Sequence, residues 1–132
     1  MIVLDTHVLV WRVNGETRKL APKARQALEQ HAKRNELLIS SVTMFEITTL
    51  EHRGRLRFKI SASEWLAQVR RLPEYRIEPL TDDIAERAGQ LGDAFPGDPA
   101  DRMIAATALL RGIPLVTHDE NLRGIEYLKT IW

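Results

Sequence analysis

The feature that most constrains the fold is the alternation of short apolar runs with longer segments of helical spacing. The first run, Met1–Leu4, contains no polar side chain and is followed by an acid, Asp5. A wholly apolar strand is typical of the centre of a parallel sheet, where helices cover both faces. Strands that alternate with helices predict such a sheet, with helices packed on each side. The sequence therefore favours an α/β fold.

We predict five strands and six helices from these patterns. The strands are predicted at Met1–Leu4, Leu37–Ser40, Tyr75–Pro79, Ile113–Thr117 and Tyr127–Ile131. The helices are predicted at about Thr6–Val13, Pro22–Arg34, Thr43–His52, Ser61–Arg71, Thr81–Leu91 and Asp101–Arg111. Because the chain has 132 residues and neither repeats nor a linker, we expect a single domain, 1–132.

The composition narrows the class of protein. The chain has no cysteine, which excludes disulfides, thiolate zinc sites and cysteine nucleophiles. No apolar run approaches the roughly 18 residues of a membrane span, and the N-terminal run lacks the basic start of a signal peptide. We therefore expect a protein of the reducing cytoplasm that has no membrane partner.

The small net charge of +1 hides an asymmetry along the chain. Residues 1–76 contain 14 Lys and Arg against 8 Asp and Glu, whereas residues 77–132 contain 5 against 10. The densest basic segment is Arg53–Lys59. A basic surface beside an acidic cleft would suit a nucleic-acid backbone, although a single basic cluster is more often a solvated face.

Four acids lie at the start or end of predicted elements. Asp5 and Asp119 follow strands, and Glu46 and Asp101 lie in the first turns of helices. Ligands of parallel sheets bind beyond the carboxyl ends of the strands, so these acids are expected to converge there. Carboxylates cannot crowd together unless protons or metal ions neutralise them, and oxygen ligands suit Mg²⁺ or Mn²⁺. We therefore hypothesise a metal-dependent enzyme that acts on phosphate esters.

Each acid also has a structural explanation. Thr43-x-x-Glu46 matches a helix capping box, and Asp98-Pro99 matches an N-cap followed by a first-turn proline. Asp101 would then be a first-turn acid that the helix dipole favours, and Asp119 would cap the turn that follows it. Asp5 is the hardest to explain in this way, because an unpaired charge next to an apolar strand is costly.

At these positions the chain resembles PIN domains, and among them the VapC-type toxin ribonucleases of bacterial and archaeal toxin–antitoxin pairs. Four segments carry the resemblance in the family's order and span nearly the whole chain: Ile2–Trp11, Ile39–Ile47, Gly97–Ala108 and Pro114–Asp119. The resemblance implies a three-layer α/β/α fold with a central parallel sheet in the order 3-2-1-4-5. In that order the first and fourth strands are neighbours, so Asp5 and Asp119 would be neighbours as well.

The resemblance also implies a site. The family's four acids fall on Asp5, Glu46, Asp101 and Asp119, which would hold one or two Mg²⁺ (or Mn²⁺) ions for the hydrolysis of RNA phosphodiester bonds. Asp5 and Asp101 are the best candidates for direct ligands, and Glu46 or Asp119 for the base that orients water. Three further residues are possible supporting members of the site: Thr6, Asp98 and Arg102.

The supporting residues have competing interpretations. Thr6 is expected either to hydrogen-bond a ligand or to cap its helix. Asp98 is interpreted mainly as a helix cap, and Arg102 as facing solvent rather than contacting a phosphate. His7 and His118 are expected to point away from the site. The aromatic residues Trp11, Trp65 and Phe45 are expected in the core or an interface rather than as base-stacking platforms.

The implied partners are an RNA substrate, such as tRNA or rRNA, a small VapB-like antitoxin and a second copy of the chain in a homodimer. One alternative is a non-catalytic PIN-fold module that binds RNA or protein. Another is a phosphoryl-transfer domain of similar topology. A phosphatase would need a second acid two residues after Asp5, where His7 stands. A receiver domain would need an acid after its third strand and a lysine after its fifth, and neither is evident.

Overall fold

A computed structural model describes residues 1–132 and contains one sheet of five parallel strands. The strands are β1 (Ile2–Leu4), β2 (Leu37–Ser40), β3 (Tyr75–Glu78), β4 (Leu115–Val116) and β5 (Thr130–Ile131). Their order is β3-β2-β1-β4-β5, which confirms the predicted topology. The central strand β1 is flanked on both sides, since Val3 pairs with Leu38 of β2 and with Leu115 of β4.

Seven α-helices connect and cover the strands. They are α1 (Thr6–Val13), α2 (Pro22–Ala32), α3 (Val42–His52), α4 (Ala62–Arg71), α5 (Asp82–Gln90), α6 (Pro99–Arg111) and α7 (Glu120–Arg123), and a 3₁₀ turn covers Thr17–Lys19. The four-residue α7 was not among the predicted helices. None of these helices combines the length and the apolar character that crossing a bilayer requires.

Strands β1 and β3 are one residue shorter than predicted, and β4 and β5 are three residues shorter, for a local reason in each of the last two. Gly112 ends α6 in the left-handed conformation, and the N–H of Ile113 donates to the carbonyl of Ala108. Ile113 therefore closes the helix instead of beginning β4. Before β5, the N–H of Leu128 donates to the carbonyl of Ile125, so Leu128 belongs to a turn. Periodicity alone does not reveal such closing hydrogen bonds.

The sheet separates two apolar cores, which gives the three layers. Ile2 and Leu4 of β1 belong to a core of 17 buried residues that includes side chains of α1, α2, α3 and α4. Val3, whose side chain points to the other face, belongs to a core of 11 buried residues that includes side chains of α6. The apolar run of β1 therefore serves both faces, as the sequence predicted.

Candidate active site

The first acid of the site follows β1 at the carboxyl edge of the sheet. The backbone N–H of Asp5 donates to the carbonyl of Val116 in β4, which holds Asp5 against the neighbouring strand. Its Oδ1 accepts from the N–H of Thr6 at 2.8 Å and thereby caps α1. Its Oδ2 accepts from the buried hydroxyl of Thr117 at 2.7 Å. The Asp5 carboxylate is thus fixed by two donors.

The second acid, Glu46, lies in the second turn of α3. The predicted capping box of Thr43 and Glu46 is wrong, because α3 begins at Val42 and its N-cap makes no side-chain hydrogen bond. The hydroxyl of Thr43 is hydrogen-bonded instead to that of Thr6 at 3.1 Å. Glu46 Oε1 is buried and has no hydrogen-bond partner. An unpaired buried carboxylate oxygen is costly unless something outside the protein binds it.

The third acid, Asp101, forms a capping box with Asp98 at the start of α6. Asp98 Oδ1 accepts from the N–H of Asp101 at 2.9 Å, and Asp101 Oδ2 accepts from the N–H of Asp98 at 3.3 Å. The expected capping role of Asp98 is therefore confirmed. Glu46, Asp98 and Asp101 also each offer an oxygen within 4.8 Å of the others. Capping thus coexists with the formation of a three-carboxylate cluster.

Gly97 allows the chain to pass close to this cluster. Its φ of +124° lies outside the range that L residues adopt readily, and a Cβ there would lie 2.9 Å from Cβ of Asp101. Only glycine fits this approach without displacing the Asp101 side chain.

The fourth acid, Asp119, follows β4 and caps α7. Its Oδ1 accepts from the N–H of Asn121 at 2.9 Å, which confirms the expected cap. Its own N–H donates to Thr117 Oγ1 at 3.1 Å. The hydroxyl of Thr117 therefore connects Asp119 to Asp5. Thr117 was not among the predicted site residues, although its place at the end of the fourth predicted strand, beside the first, pointed to the site.

All four predicted acids line one cleft of about 670 Å³ at the carboxyl edge of the sheet. No lysine or arginine is among its lining residues, which are Asp5, His7, Val8, Trp11, Glu46, Leu50, Asp98, Asp101, His118, Asp119, Glu120 and Asn121. The structure therefore brings together the four acids that the sequence placed at element ends and the predicted supporting residue Asp98, and it adds Glu120 to them.

The pKa values of the clustered acids show how unfavourable their charges are. Burial raises the pKa of Asp5 and of Glu46 above the usual carboxyl range, and neighbouring acids add to both effects. Burial raises the pKa of Asp101 to about 7, with further contributions from the charges of Asp5, Asp98 and Glu46. Without a counter-ion, these groups ionise less readily than exposed carboxyls.

The donor set fits a divalent cation that prefers oxygen ligands. Glu46 offers a buried oxygen with no partner, and no lysine or arginine lines the cleft to neutralise the acids. Several carboxylates without sulfur ligands suit Mg²⁺ or Mn²⁺ rather than softer metals. Asp5 and Asp119 line the same cleft but lie outside the cluster of Glu46, Asp98 and Asp101.

Thr6 and Arg102 were each expected in one of two roles. Thr6 does not cap α1, because Asp5 does, and its buried hydroxyl is paired with that of Thr43. The alternative role of Thr6, a hydrogen bond to a ligand, stays a prediction. The guanidinium of Arg102 donates to the carbonyls of Gly92 and Phe95 at 2.8 and 2.9 Å. The solvent-facing interpretation of Arg102 is therefore wrong, and a phosphate contact receives no support since Arg102 does not line the cleft. Its role is to brace the loop before α6.

The two histidines and Trp11 also differ from expectation. His7 and His118 line the cleft instead of pointing away from it. For His118 the reason is that β4 ends at Val116, so strand alternation no longer applies. Trp11 lines the cleft as well. Trp65 lies in the core as predicted, whereas Phe45 is 66% exposed, so its place in an interface stays a prediction.

The sequence is similar to those of known proteins. The family model described as PIN domain matches residues 2–126. The protein Ribonuclease VapC22 of Mycobacterium tuberculosis (strain ATCC 25618 / H37Rv) is 37% identical over 133 residues, which cover 99% of this chain and 98% of that protein.

Solved structures are similar in fold. VapBC2 from Rickettsia felis, bound to a DNA fragment from its promoter, matches with a TM-score of 0.70 and 22% identity over 98% of this chain and 97% of the other. A toxin–antitoxin complex from Klebsiella pneumoniae matches with a TM-score of 0.64 and 24% identity over 97% and 95%.

Proposed function

This chain belongs to the PIN domain family, among its VapC-type members, and from that premise we propose that it is a Mg²⁺- or Mn²⁺-dependent endoribonuclease that acts as the toxin of a toxin–antitoxin pair. The observation that carries the proposal is the convergence of four acids, distant in sequence, on one cleft that no lysine or arginine lines. The name of the similar ribonuclease from Mycobacterium tuberculosis supports RNA as the substrate.

In the proposed mechanism, Asp5, Glu46, Asp101 and Asp119 hold one or two ions, directly or through water. A bound divalent ion lowers the pKa of a water molecule and offsets charge on the leaving oxygen. Asp5 and Asp101 are proposed as direct ligands. The free Oε1 of Glu46 is suited either to a ligand or to the base that orients the attacking water.

The surrounding residues keep these carboxylates in position. Thr117 donates to Asp5 and accepts from Asp119, so one buried hydroxyl sets the position of two acids. The N–H groups at the start of α6 hold one oxygen each of Asp98 and Asp101. A site whose side chains are fixed before substrate binds needs little reorganisation during the reaction.

We further propose a small antitoxin and a second copy of the chain as partners. The similar toxin–antitoxin complex supports the first. For the second, an exposed apolar patch is available beside the start of α6. Phe45 and Leu80, 66% and 41% exposed, line a hollow there with Val42, Pro99 and Met103. Exposed apolar patches of this kind commonly mark protein interfaces.

Of the two alternatives to an enzyme, the strand order excludes one, and the other requires an experiment. The strand order 3-2-1-4-5 rules out a receiver-like domain, since receivers have the order 2-1-3-4-5. A non-catalytic RNA- or protein-binding module has the same fold as the proposed enzyme, so it is separated from the enzyme by experiment.

The experiment is cleavage of a mixed tRNA and rRNA pool by the purified, antitoxin-free protein in Mg²⁺, in Mn²⁺ and in EDTA. We expect discrete fragments that require the metal and that disappear in Asp5→Asn and in Asp101→Asn. The matched control is Asp83→Asn, which removes an exposed carboxylate outside the cleft.

Circular dichroism of each variant establishes that it is folded. Cleavage that survives EDTA, or that survives both Asp5→Asn and Asp101→Asn, would contradict the metal-site mechanism. RNA binding without cleavage under any condition would favour the binding module.

A further inference from the structure

One wall of the acidic cleft is aromatic rather than acidic. Trp11, on α1, lines the cleft between His7 and His118. The Trp11 ring centroid lies 6.0 Å from that of His7 and 5.8 Å from that of His118. Trp132, which does not itself line the cleft, packs on this group, 6.2 Å from Trp11 and 5.1 Å from His118. These four residues form what we call the aromatic wall.

The aromatic wall holds Trp11 in a defined orientation. The His118 ring is inclined at 76° to Trp11 and at 71° to Trp132, which is the edge-to-face arrangement that aromatic pairs prefer. Trp11 is half-buried and packs partly against the core, whereas His7 and His118 are exposed. An indole held by its neighbours, with part of its surface in the cleft, loses little entropy when a ligand packs on it.

The charges around Trp11 suit a nucleotide rather than an apolar ligand. Lys19 Nζ lies over the Trp11 ring, 5.8 Å from its centroid, so one face of the indole carries a positive charge. The same cleft contains the acids that, in the proposed function, bind a metal ion at the scissile phosphate. The volume of about 670 Å³ lies within the range of roughly 300–1,000 Å³ typical of sites for drug-sized ligands.

Carboxylates and a metal ion bind the phosphate of every nucleotide alike, whereas an indole distinguishes exposed bases from paired ones. Unpaired bases stack on aromatic side chains, while the bases of a duplex are stacked within the helix and do not reach such a surface. Trp11 is the only tryptophan, tyrosine or phenylalanine that lines the cleft.

We propose that Trp11 is a specificity-determining residue on which an unpaired base next to the scissile phosphate stacks, so that single-stranded RNA is selected over duplex. This inference rests on the proposed ribonuclease function. Trp11 contacts a base in this arrangement and takes no part in the chemistry at the phosphate. Its removal therefore acts mainly on KM, because stacking binds the substrate and the transition state alike.

The test compares Trp11→Leu, which keeps the apolar bulk but removes the ring, with Trp11→Phe, which restores an aromatic face. The matched control is Tyr127→Leu, because Tyr127 is 56% exposed and lies outside the cleft. The probes are a single-stranded RNA oligonucleotide that contains a cleaved sequence and the same oligonucleotide paired with its complement. Binding of both is also measured by fluorescence anisotropy in the Asp5→Asn background with Mg²⁺.

We expect Trp11→Leu to lower kcat/KM for the single strand by about 5- to 150-fold, mostly through KM, as the loss of one stacked base predicts. Trp11→Phe should recover most of the loss, and Tyr127→Leu should behave as wild type. Melting temperatures separate these effects from unfolding. Single-strand cleavage that is unchanged in Trp11→Leu, a loss that Trp11→Phe does not restore, or equal losses for single strand and duplex would each overturn the inference.

The inference and the proposed function fail in different ways. Trp11-dependent binding of the single strand without cleavage in any metal would remove the ribonuclease function and leave the stacking role standing. Cleavage that does not depend on Trp11 would support the ribonuclease function and remove the stacking role. Neither binding nor cleavage of single-stranded RNA would overturn both.

Discussion

At the scale of single residues, the site depends on a hydroxyl that carries no charge. Thr117 is fully buried, donates to Asp5 at 2.7 Å and accepts from the N–H of Asp119 at 3.1 Å. Residues that hold metal ligands in place often matter nearly as much as the ligands themselves. Thr117 is therefore a positioning residue for two of the four acids.

Replacing Thr117 by valine should lower both metal affinity and activity by roughly 10- to 100-fold, and the free energy of unfolding by about 1 kcal/mol. Thr107→Val is the matched control, because Thr107 is equally buried and donates to the carbonyl of Met103 at 2.8 Å in α6, outside the cleft. Metal titration by calorimetry and urea unfolding measure the two effects. Equal losses of metal affinity in both variants would contradict the positioning role.

A second prediction concerns the titration of Asp101. Its pKa is raised from 3.8 to about 7, first by burial. Between these two values the folded, metal-free protein keeps a proton that the unfolded chain has released. The free energy of unfolding therefore falls as the pH rises from about 4 to about 7. Mg²⁺ should restore the stability lost at pH 8, because metal ions bind the deprotonated carboxylate.

The measurement is urea unfolding in EDTA at pH 5 and pH 8. The wild type should lose more stability between these pH values than Asp101→Asn, which cannot titrate there. Asp101→Asn should still lose some stability between these pH values, because the pKa values of Asp5 and Glu46 are raised as well. An identical loss in both proteins would show that Asp101 is not the group that titrates.

At the scale of secondary-structure elements, the start of α6 performs two tasks with the same two carboxylates. Asp98 and Asp101 cap the helix reciprocally, and together with Glu46 of α3 they form the three-carboxylate cluster. The cap orients both carboxylates, so a different start of α6 would move Asp98 and Asp101 away from Glu46.

These two tasks can be separated by mutation. Asp98→Ala should cost about 1 kcal/mol of stability through the lost cap and should weaken Mg²⁺ binding. Asp98→Ser keeps a good capping group, so it should weaken Mg²⁺ binding with a much smaller loss of stability. Urea unfolding in EDTA and calorimetric Mg²⁺ titration measure the two effects.

Thr81→Ala is the control for a lost cap away from the site, since Thr81 caps α5 by accepting from the N–H of Ile84. It should lower stability alone. If Asp98→Ser binds Mg²⁺ as the wild type does, Asp98 is only a cap.

At the scale of the whole molecule, the topology places basic and acidic surfaces side by side. Leu50 of α3 lines the acidic cleft, and its carbonyl accepts from the N–H of Arg55 at 2.9 Å. The basic segment Arg53–Lys59 therefore begins beside the cleft, directly after the end of α3. Arg70 and Arg71 end α4, which leads to the opposite, amino edge of the sheet at β3.

This arrangement predicts which positive charges bind the RNA. Changing Arg55 and Arg57, both exposed, to glutamine should weaken RNA binding and reduce its salt dependence, by roughly 0.7 in the logarithmic slope for each phosphate that is no longer neutralised. The pair Arg70→Gln and Arg71→Gln removes the same charge and should have little effect. Affinities of the Asp5→Asn protein at several salt concentrations provide the test. Equal slopes for the two double variants would mean that the basic segment does not bind RNA.

The sequence by itself determined the class of fold and the order of the elements. Apolar runs such as Met1–Leu4 show which segments are buried on both faces, since burial depends on side-chain chemistry and local period. The strand order came from the resemblance to PIN domains, and the structure confirms it. The four acids were also identified from the sequence, although metal binding by them stays a prediction.

Only the tertiary structure decided how the site residues interact. The sequence could not tell that Glu46 Oε1 has no hydrogen-bond partner, that Thr117 joins Asp5 to Asp119, or that Trp11 lines the cleft. Each of these facts depends on the packing of segments far apart along the chain. Local patterns describe a residue's own helix or strand, whereas the partners of a side chain are set by the other elements that surround it.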